Sequence, residues 1–183
     1  MNLIYQYYRD NRLEKRDNET PASYLHMGYD YWELSKASMR KYARQICGAD
    51  FKFLSDPLED NMPPFFGIFA PFTGPEPWCH EYDSVCFVDS DMMATTTARN
   101  IFDHVSDTAV SAHLLRKGYR GTTGDYMYWY RLGGHFNSGT VVFPRAVYGP
   151  LIEFCKTLKD RHDNRPQVAN DIGGYDQAQV NFF

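Results

Sequence analysis

The run Ser84-Val85-Cys86-Phe87-Val88 carries no charge and turns abruptly into Asp89-Ser90-Asp91. A strand with one wet face alternates polar and apolar residues, so an uninterrupted apolar run of strand length belongs to a strand covered on both faces. The remaining patterning supplies the covering elements. Residues 3–8, 50–54 and 140–143 read as strands, rich in aromatic and β-branched side chains. Residues 31–47 read as a helix: Asp30 and Glu33 have capping-box spacing, and Gly48 stands where positive φ ends a helix. Along it Tyr31, Leu34, Ser38, Tyr42 and Ile46 form one stripe, and Glu33, Lys36, Arg40 and Arg44 another. Pro150 suits the first turn of a second helix over 148–158. Residues 95–103 read as a short helical turn, 109–115 fit strand or helix equally, and a further helix begins at Tyr175. Strands alternating with helices predict an α/β fold, a mostly parallel central sheet flanked by helices.

Three connections carry their own signatures. Residues 9–19 hold four bases and four acids, the composition of a solvated loop that could also reach a phosphate. Residues 61–78 contain five prolines, which predicts an irregular aromatic surface segment, neither helix nor central strand. Residues 118–134, glycine-rich and aromatic, and the polar residues 160–174 read as loops.

The whole chain, 183 residues, is the size of a single domain. Nothing closes it with a strand or cap after Asn181, so residues 1–183 are expected to form one domain truncated at its C-terminal end. A net charge of −4 argues against an electrostatic nucleic-acid binder. The longest uncharged stretch, residues 61–75, is interrupted by Pro63, Pro64 and Pro71 and is too short to span a bilayer. No secretory leader opens the chain, and Cys47, Cys79, Cys86 and Cys155 lack metal or redox spacing, so reduced thiols and a cytoplasmic location are expected. Aromatic residues make up 16%, either as core filling or as faces that stack on bases and sugar rings.

Asp89 and Asp91 are the chemically informative pair. In extended chain, residues two apart point to the same side, so both carboxylates are expected to converge just past the C-terminal edge of the sheet, where open α/β sheets bind ligands. Two acids there repel unless a cation neutralises them, and oxygen ligands suit Mn²⁺ or Mg²⁺. The plainer alternative is a pair of acids capping the segment that follows. A buried strand ending in D-x-D has two enzymatic readings: a phosphatase with an aspartyl nucleophile, or a sugar transferase whose cation sits on a nucleotide diphosphate. The phosphatase pattern wants Thr where Met93 stands.

Residues 82–91 followed by Asn100-Ile101-Phe102-Asp103 resemble the D-x-D block of GT-A fold glycosyltransferases. Downstream, His135-Phe136-Asn137-Ser138-Gly139-Thr140-Val141-Val142-Phe143 resembles their F-N-S/A-G strand, and Tyr175-Asp176-Gln177 their D-Q motif. The early Ser38-Met39-Arg40-Lys41-Tyr42-Ala43 helix followed by Gly48-Ala49-Asp50-Phe51 is similar to their first crossover. The short length also resembles the compact GT-A domains of large algal viruses that decorate capsid glycans. Three motifs in the family's order make the likeness more specific than any one of them.

The resemblance implies a metal-dependent glycosyltransferase moving a sugar from a nucleotide-diphosphate donor, UDP-sugar favoured, to a hydroxyl on a glycan or glycoprotein acceptor. Asp89 and Asp91 would hold Mn²⁺ or Mg²⁺. Tyr5 and Tyr7, alternating to one face of the first strand, would stack on the base or else pack in the core. Asn137 and Ser138 would bind near the donor sugar and acceptor by hydrogen bonds to hydroxyls, with Gly139 admitting close backbone approach. Asp176 would stabilise charge at the anomeric centre or deprotonate the acceptor, Gln177 would bind a sugar hydroxyl, and Arg99 would face the diphosphate. A third metal ligand would come from His80, His104, His135 or His162, with His135 favoured. The reading outside catalysis is a carbohydrate-binding module that grips glycans through residues 61–78 and 118–134.

Overall fold

The computed structural model describes residues 1–8, 31–56, 58, 64–114 and 136–158. Five strands form one sheet: β1 (Leu3–Tyr7), β2 (Asp50–Leu54), β3 (Ser84–Val88), β4 (Ser111–Leu114) and β5 (Phe136–Pro144). Their spatial order is β2-β1-β3-β5-β4. β1 pairs in parallel with both β2 and β3, while β5 runs antiparallel to β3 and to β4. Only β5 opposes the common direction, so the sheet is mostly parallel, as expected of an α/β fold.

β3 is central, and Val85, Cys86, Phe87 and Val88 are all buried, which is why its sequence does not alternate. Its side chains feed two cores. On one face Cys86 and Val88 join Ile4, Val142 and the helix residues Met39, Tyr42 and Ala43. On the other Val85 and Phe87 join Leu3, Tyr5, Val141 and Phe143 beneath Phe66, Ile68, Phe69 and Phe72. Each fully buried side chain of this size contributes about 1.5–3 kcal/mol.

Helix α1 (Tyr31–Tyr42) continues through one wider π turn, Ala43–Cys47, before reaching β2. Gly48 ends it with φ 58°, and the next amide, of Ala49, bonds back to the Ala43 carbonyl at 2.9 Å. The expected apolar stripe is corrected: Tyr31, Leu34 and Ile46 are exposed, and the buried positions are Ser35, Met39 and Tyr42. The helix is rotated because Ser35 finds hydrogen-bond partners inside, described below.

Residues 61–78 overturn a second expectation. Within them a 3₁₀ helix, Pro64–Phe72, is buried rather than superficial. A 3₁₀ helix repeats every three residues, so Phe66, Phe69 and Phe72 fall on one face and enter the core together. A second 3₁₀ turn, Trp78–Glu81, leads into β3. The helical turn expected over 95–103 is confined to Ile101–His104, and the ambiguous 109–115 resolves as β4. Helix α2 (Tyr148–Cys155) follows β5 and seats Tyr148, Leu151 and Cys155 against the 3₁₀ side of the sheet. The loops expected at 9–19, 118–134 and 160–174, and the helix from Tyr175, lie outside the described residues.

Candidate functional site

β3 delivers the chain to the C-terminal edge of the sheet, and there the extended path ends. The Met92 amide donates to the Asp89 carbonyl at 3.2 Å, closing a turn over Asp89-Ser90-Asp91-Met92. The expected geometry is thereby corrected: the two aspartates share a tight turn and do not alternate along a strand. Pairing with β5 reaches Val88 opposite Thr140, and one more bond, Asp89 N–H to Gly139 O at 2.9 Å, ends the ladder. Asp89 is half-buried and Asp91 exposed.

Polar side chains from β1 and α1 hold this turn from beneath. Gln6 is fully buried near the end of β1, and its Nε2 donates to Ser35 Oγ at 2.7 Å and to the Asp89 carbonyl at 2.9 Å. Ser35, also fully buried, donates its hydroxyl to the Met92 carbonyl. One turn along α1, Ser38 Oγ accepts from the Ala94 amide at 3.1 Å. Among the described residues, Gln6 Oε1 is buried without a partner. Sequence reading missed Gln6 and Ser35; the available signal was an amide in an otherwise apolar strand.

Because β5 is antiparallel, its N-terminal end runs past the C-terminal end of β3. That places the backbone of Asn137 and Ser138 directly before Gly139, beside the Asp89 turn, with Asn137 opposite His113 on β4. Thr140 Oγ1 lies 3.4 Å from Met92 Sδ. Arg99 is exposed, and its backbone carbonyl is fixed by the Tyr42 hydroxyl at 2.6 Å. Burial is the main reason the Tyr42 phenol is held neutral well above its ordinary range. His80 lies in the turn that precedes β3, at the opposite end of that strand from Asp89, and so it is not a ligand beside the pair. His104 ends the Ile101–His104 turn and is exposed. Asp176, Gln177, His135 and His162 lie outside the described residues. Among the described residues, no three His, Cys, Asp or Glu side chains gather into a metal cluster.

Tyr5 and Tyr7 do alternate to one face, but that face is core. Tyr5 is fully buried, donates its hydroxyl to the Ile68 carbonyl and packs on Phe87 at 5.4 Å between centroids. Tyr7 is buried, with its hydroxyl 3.0 Å from the Asp56 carbonyl. Of the two roles open to this pair, stacking on the base or packing in the core, their burial favours core packing.

An aromatic groove lies instead on the α1 face, between the helix and the edge strand β2. It encloses about 520 Å³ and is lined by Tyr8, Trp32, Lys36, Arg40, Phe51 and Phe53 together with Ser55. Trp32 stacks on Tyr8 at 5.1 Å and on Phe53 at 5.7 Å. Lys36 Nζ sits 4.7 Å from the Phe53 ring centre, and the Arg40 guanidinium 5.8 Å from that of Phe51. Trp32 and Lys36 flank Ser35 on α1, so this groove and the aspartate turn border the same stretch of helix. β2 and β3 are both neighbours of β1, which puts them about 10 Å apart.

No protein-family model and no curated protein matches this chain. Among solved structures, a glycosyltransferase involved in the glycosylation of the major capsid of PBCV-1 superposes with a TM-score of 0.52 at 11% identity, over 90% of this chain and 68% of that one. The glycosyltransferase GlyE of Streptococcus pneumoniae TIGR4 gives 0.47 at 14% identity, over 98% of this chain and 42% of that one, a likeness too distant to bear on the fold. The chain thus shares the α/β fold of the PBCV-1 capsid-glycosylation enzyme. No described helix is long and apolar enough to cross a membrane.

Proposed function

We propose that the chain is a metal-dependent glycosyltransferase that moves a sugar from a nucleotide-diphosphate donor to a hydroxyl of a glycan or glycoprotein. The observation that carries this reading is the turn bearing Asp89 and Asp91 at the C-terminal end of the central strand, with the Asn137-Ser138-Gly139 backbone beside it. Two carboxylates on one turn, Asp89 half-buried and Asp91 exposed, suit a Mn²⁺ or Mg²⁺ ion that completes its shell with water and substrate phosphate oxygens. What a cation held by Asp89 and Asp91 would supply is neutralisation of the charge gathering on the departing diphosphate.

The chain's own residues do the rest. The groove beside Trp32 receives the base, stacked on an aromatic face, while Lys36 and Arg40 favour an anionic ligand. Base platform and aspartate turn lie two strands apart, at β2 and β3 with β1 between them, a separation of about 10 Å that a nucleoside diphosphate bridges. Asn137, Ser138 and Gln177 bind sugar hydroxyls, and Arg99 meets the diphosphate, by resemblance to the GT-A enzymes. In the transfer, the bond from the anomeric carbon to the diphosphate oxygen breaks, and a bond to the acceptor oxygen forms. Asp176 stabilises the sugar cation or takes the acceptor's proton. UDP is the favoured nucleotide because the GT-A enzymes mostly use it.

Calorimetric titration with UDP and GDP, each with and without Mn²⁺, tests the reading. UDP binding should require Mn²⁺ and weaken at least about a hundredfold in Asp91→Ala, since losing even an outer-shell partner of a metal site costs about 10–100-fold. Binding indifferent to the metal would refute it. Glycan binding that survives Asp89→Ala and Asp91→Ala without nucleotide binding would indicate a carbohydrate-binding module, and a phosphoaspartate at Asp89 a phosphatase.

A further inference from the structure

We propose that Gln6, Ser35 and Ser38 are positioning residues, a polar clamp, fully buried at Gln6 and Ser35 and half-buried at Ser38, that sets the backbone of residues 89–94 and through it the geometry of the Asp89 and Asp91 carboxylates. The clamp is directional. The Ser35 hydroxyl gives its proton to the Met92 carbonyl, so Ser35 Oγ must accept from Gln6. The other hydrogen of the Gln6 amide then goes to the Asp89 carbonyl, which fixes the orientation of the amide. Ser38 adds a third hold at the Ala94 amide, and from the β5 side Gly139 takes the Asp89 amide. The backbone is therefore pinned at 89, 92 and 94.

The composition of the clamp argues for a role beyond packing. Gln6 stands among Leu3, Ile4 and Tyr5, all fully buried, and its Oε1 has no partner among the described residues. A methionine would fill the same space and leave no orphan oxygen, so the amide is a poor choice for packing and a good one for holding two groups at once. Carboxylates that share a cation must be held within a fraction of an ångström, and a turn on its own does not provide that. The consequence for binding rests on the proposed role of Asp89 and Asp91; the consequence for the turn does not.

The test uses the full chain as wild type, Gln6→Met, Ser35→Ala, Ser35→Thr and Ser38→Ala, with two readouts. Hydrogen exchange at the Met92 and Ala94 amides should quicken about tenfold in Gln6→Met and Ser35→Ala and stay near wild type in Ser35→Thr, which keeps the hydroxyl. The Val85 to Val88 amides should not change. Mn²⁺ affinity, followed by paramagnetic resonance, should weaken about tenfold in Gln6→Met and Ser35→Ala and be restored in Ser35→Thr. Should Gln6→Met not fold, the two serine-to-alanine variants carry the test, since each removes only a hydroxyl. Unchanged exchange at Met92 and Ala94 overturns the clamp. Faster exchange with unchanged Mn²⁺ affinity overturns its positioning role. A wild type that binds no Mn²⁺ while exchange responds to the variants refutes the proposed function and reduces the clamp to a structural device.

Discussion

Replacing Gly67 with alanine tests the tightest approach in the fold. Gly67 lies in the 3₁₀ helix that crosses β1, and a Cβ built on it falls 2.5 Å from Tyr7 Cβ and closer still to the ring. Carbon atoms in contact sit ~3.5–4.0 Å apart, so the helix and strand must separate by roughly an ångström. Tyr7 has little room to yield, being only 7% exposed. Overpacking of this kind costs ~1–3 kcal/mol. Moving the ring also breaks the Tyr7 hydroxyl bond to the Asp56 carbonyl, worth ~0.5–1.5 kcal/mol. The expected loss is therefore about 2–4 kcal/mol, which at this chain length lowers Tm by about 5–15 °C. Scanning calorimetry and urea unfolding read it directly. Gly149→Ala is the control: nothing lies within 4 Å of its Cβ, and a helical alanine there should be neutral or stabilise by up to ~1 kcal/mol. A Gly67→Ala variant that melts within ~2 °C of wild type would refute the claim that the 3₁₀ helix is packed hard on β1.

Trp32→Ala should weaken UDP binding about tenfold through lost stacking and leave Mn²⁺ affinity unchanged, a split that titrating UDP in the presence of Mn²⁺, and Mn²⁺ by itself, would detect. Cys79, Cys86 and Cys155 are buried and Cys47 partly so; a thiol reagent at neutral pH should label Cys47 promptly and the other three only on denaturation. Burial pushes the Cys79 thiol up to about 11. Its unfolded value is ~8.5, so its contribution to stability is complete below that pH and is lost as pH rises toward about 11. Urea midpoints should accordingly fall across that alkaline window, and less steeply in Cys79→Ala.

The central sheet was legible because its pattern is local. β2 and β3 occupy the residues their apolar patterning marks, and Gly48 ends the helix with the positive φ that its position predicts. The proline-rich segment was misread because proline excludes the α-helix, whereas a 3₁₀ helix accommodates Pro71 and aligns three phenylalanines. The reversed direction of β5 depends on pairing distant in the chain, and nothing inside Thr140-Val141-Val142-Phe143 encodes it. At the site, Asp89 and Asp91 announced themselves through the strand they follow. Their turn did not, because it is set by Gln6, Ser35 and Ser38, contributed from 83 to 56 positions away as Gln6 to Asp89 and Ser38 to Ala94. Tyr5 and Tyr7 left two roles open for the converse reason: alternation identifies a shared face but not which face is buried, and theirs meets Ile68 and Phe87.

The most direct test of the account is a crystal of this protein grown with Mn²⁺ and UDP, measured at a wavelength where manganese scatters anomalously. The account predicts an anomalous peak coordinated by carboxylate oxygens of Asp89 and Asp91 and by diphosphate oxygens, with the uracil against the Trp32 groove. Clear nucleotide density elsewhere on the molecule, or no manganese at the Asp89 turn under saturating conditions, would contradict it.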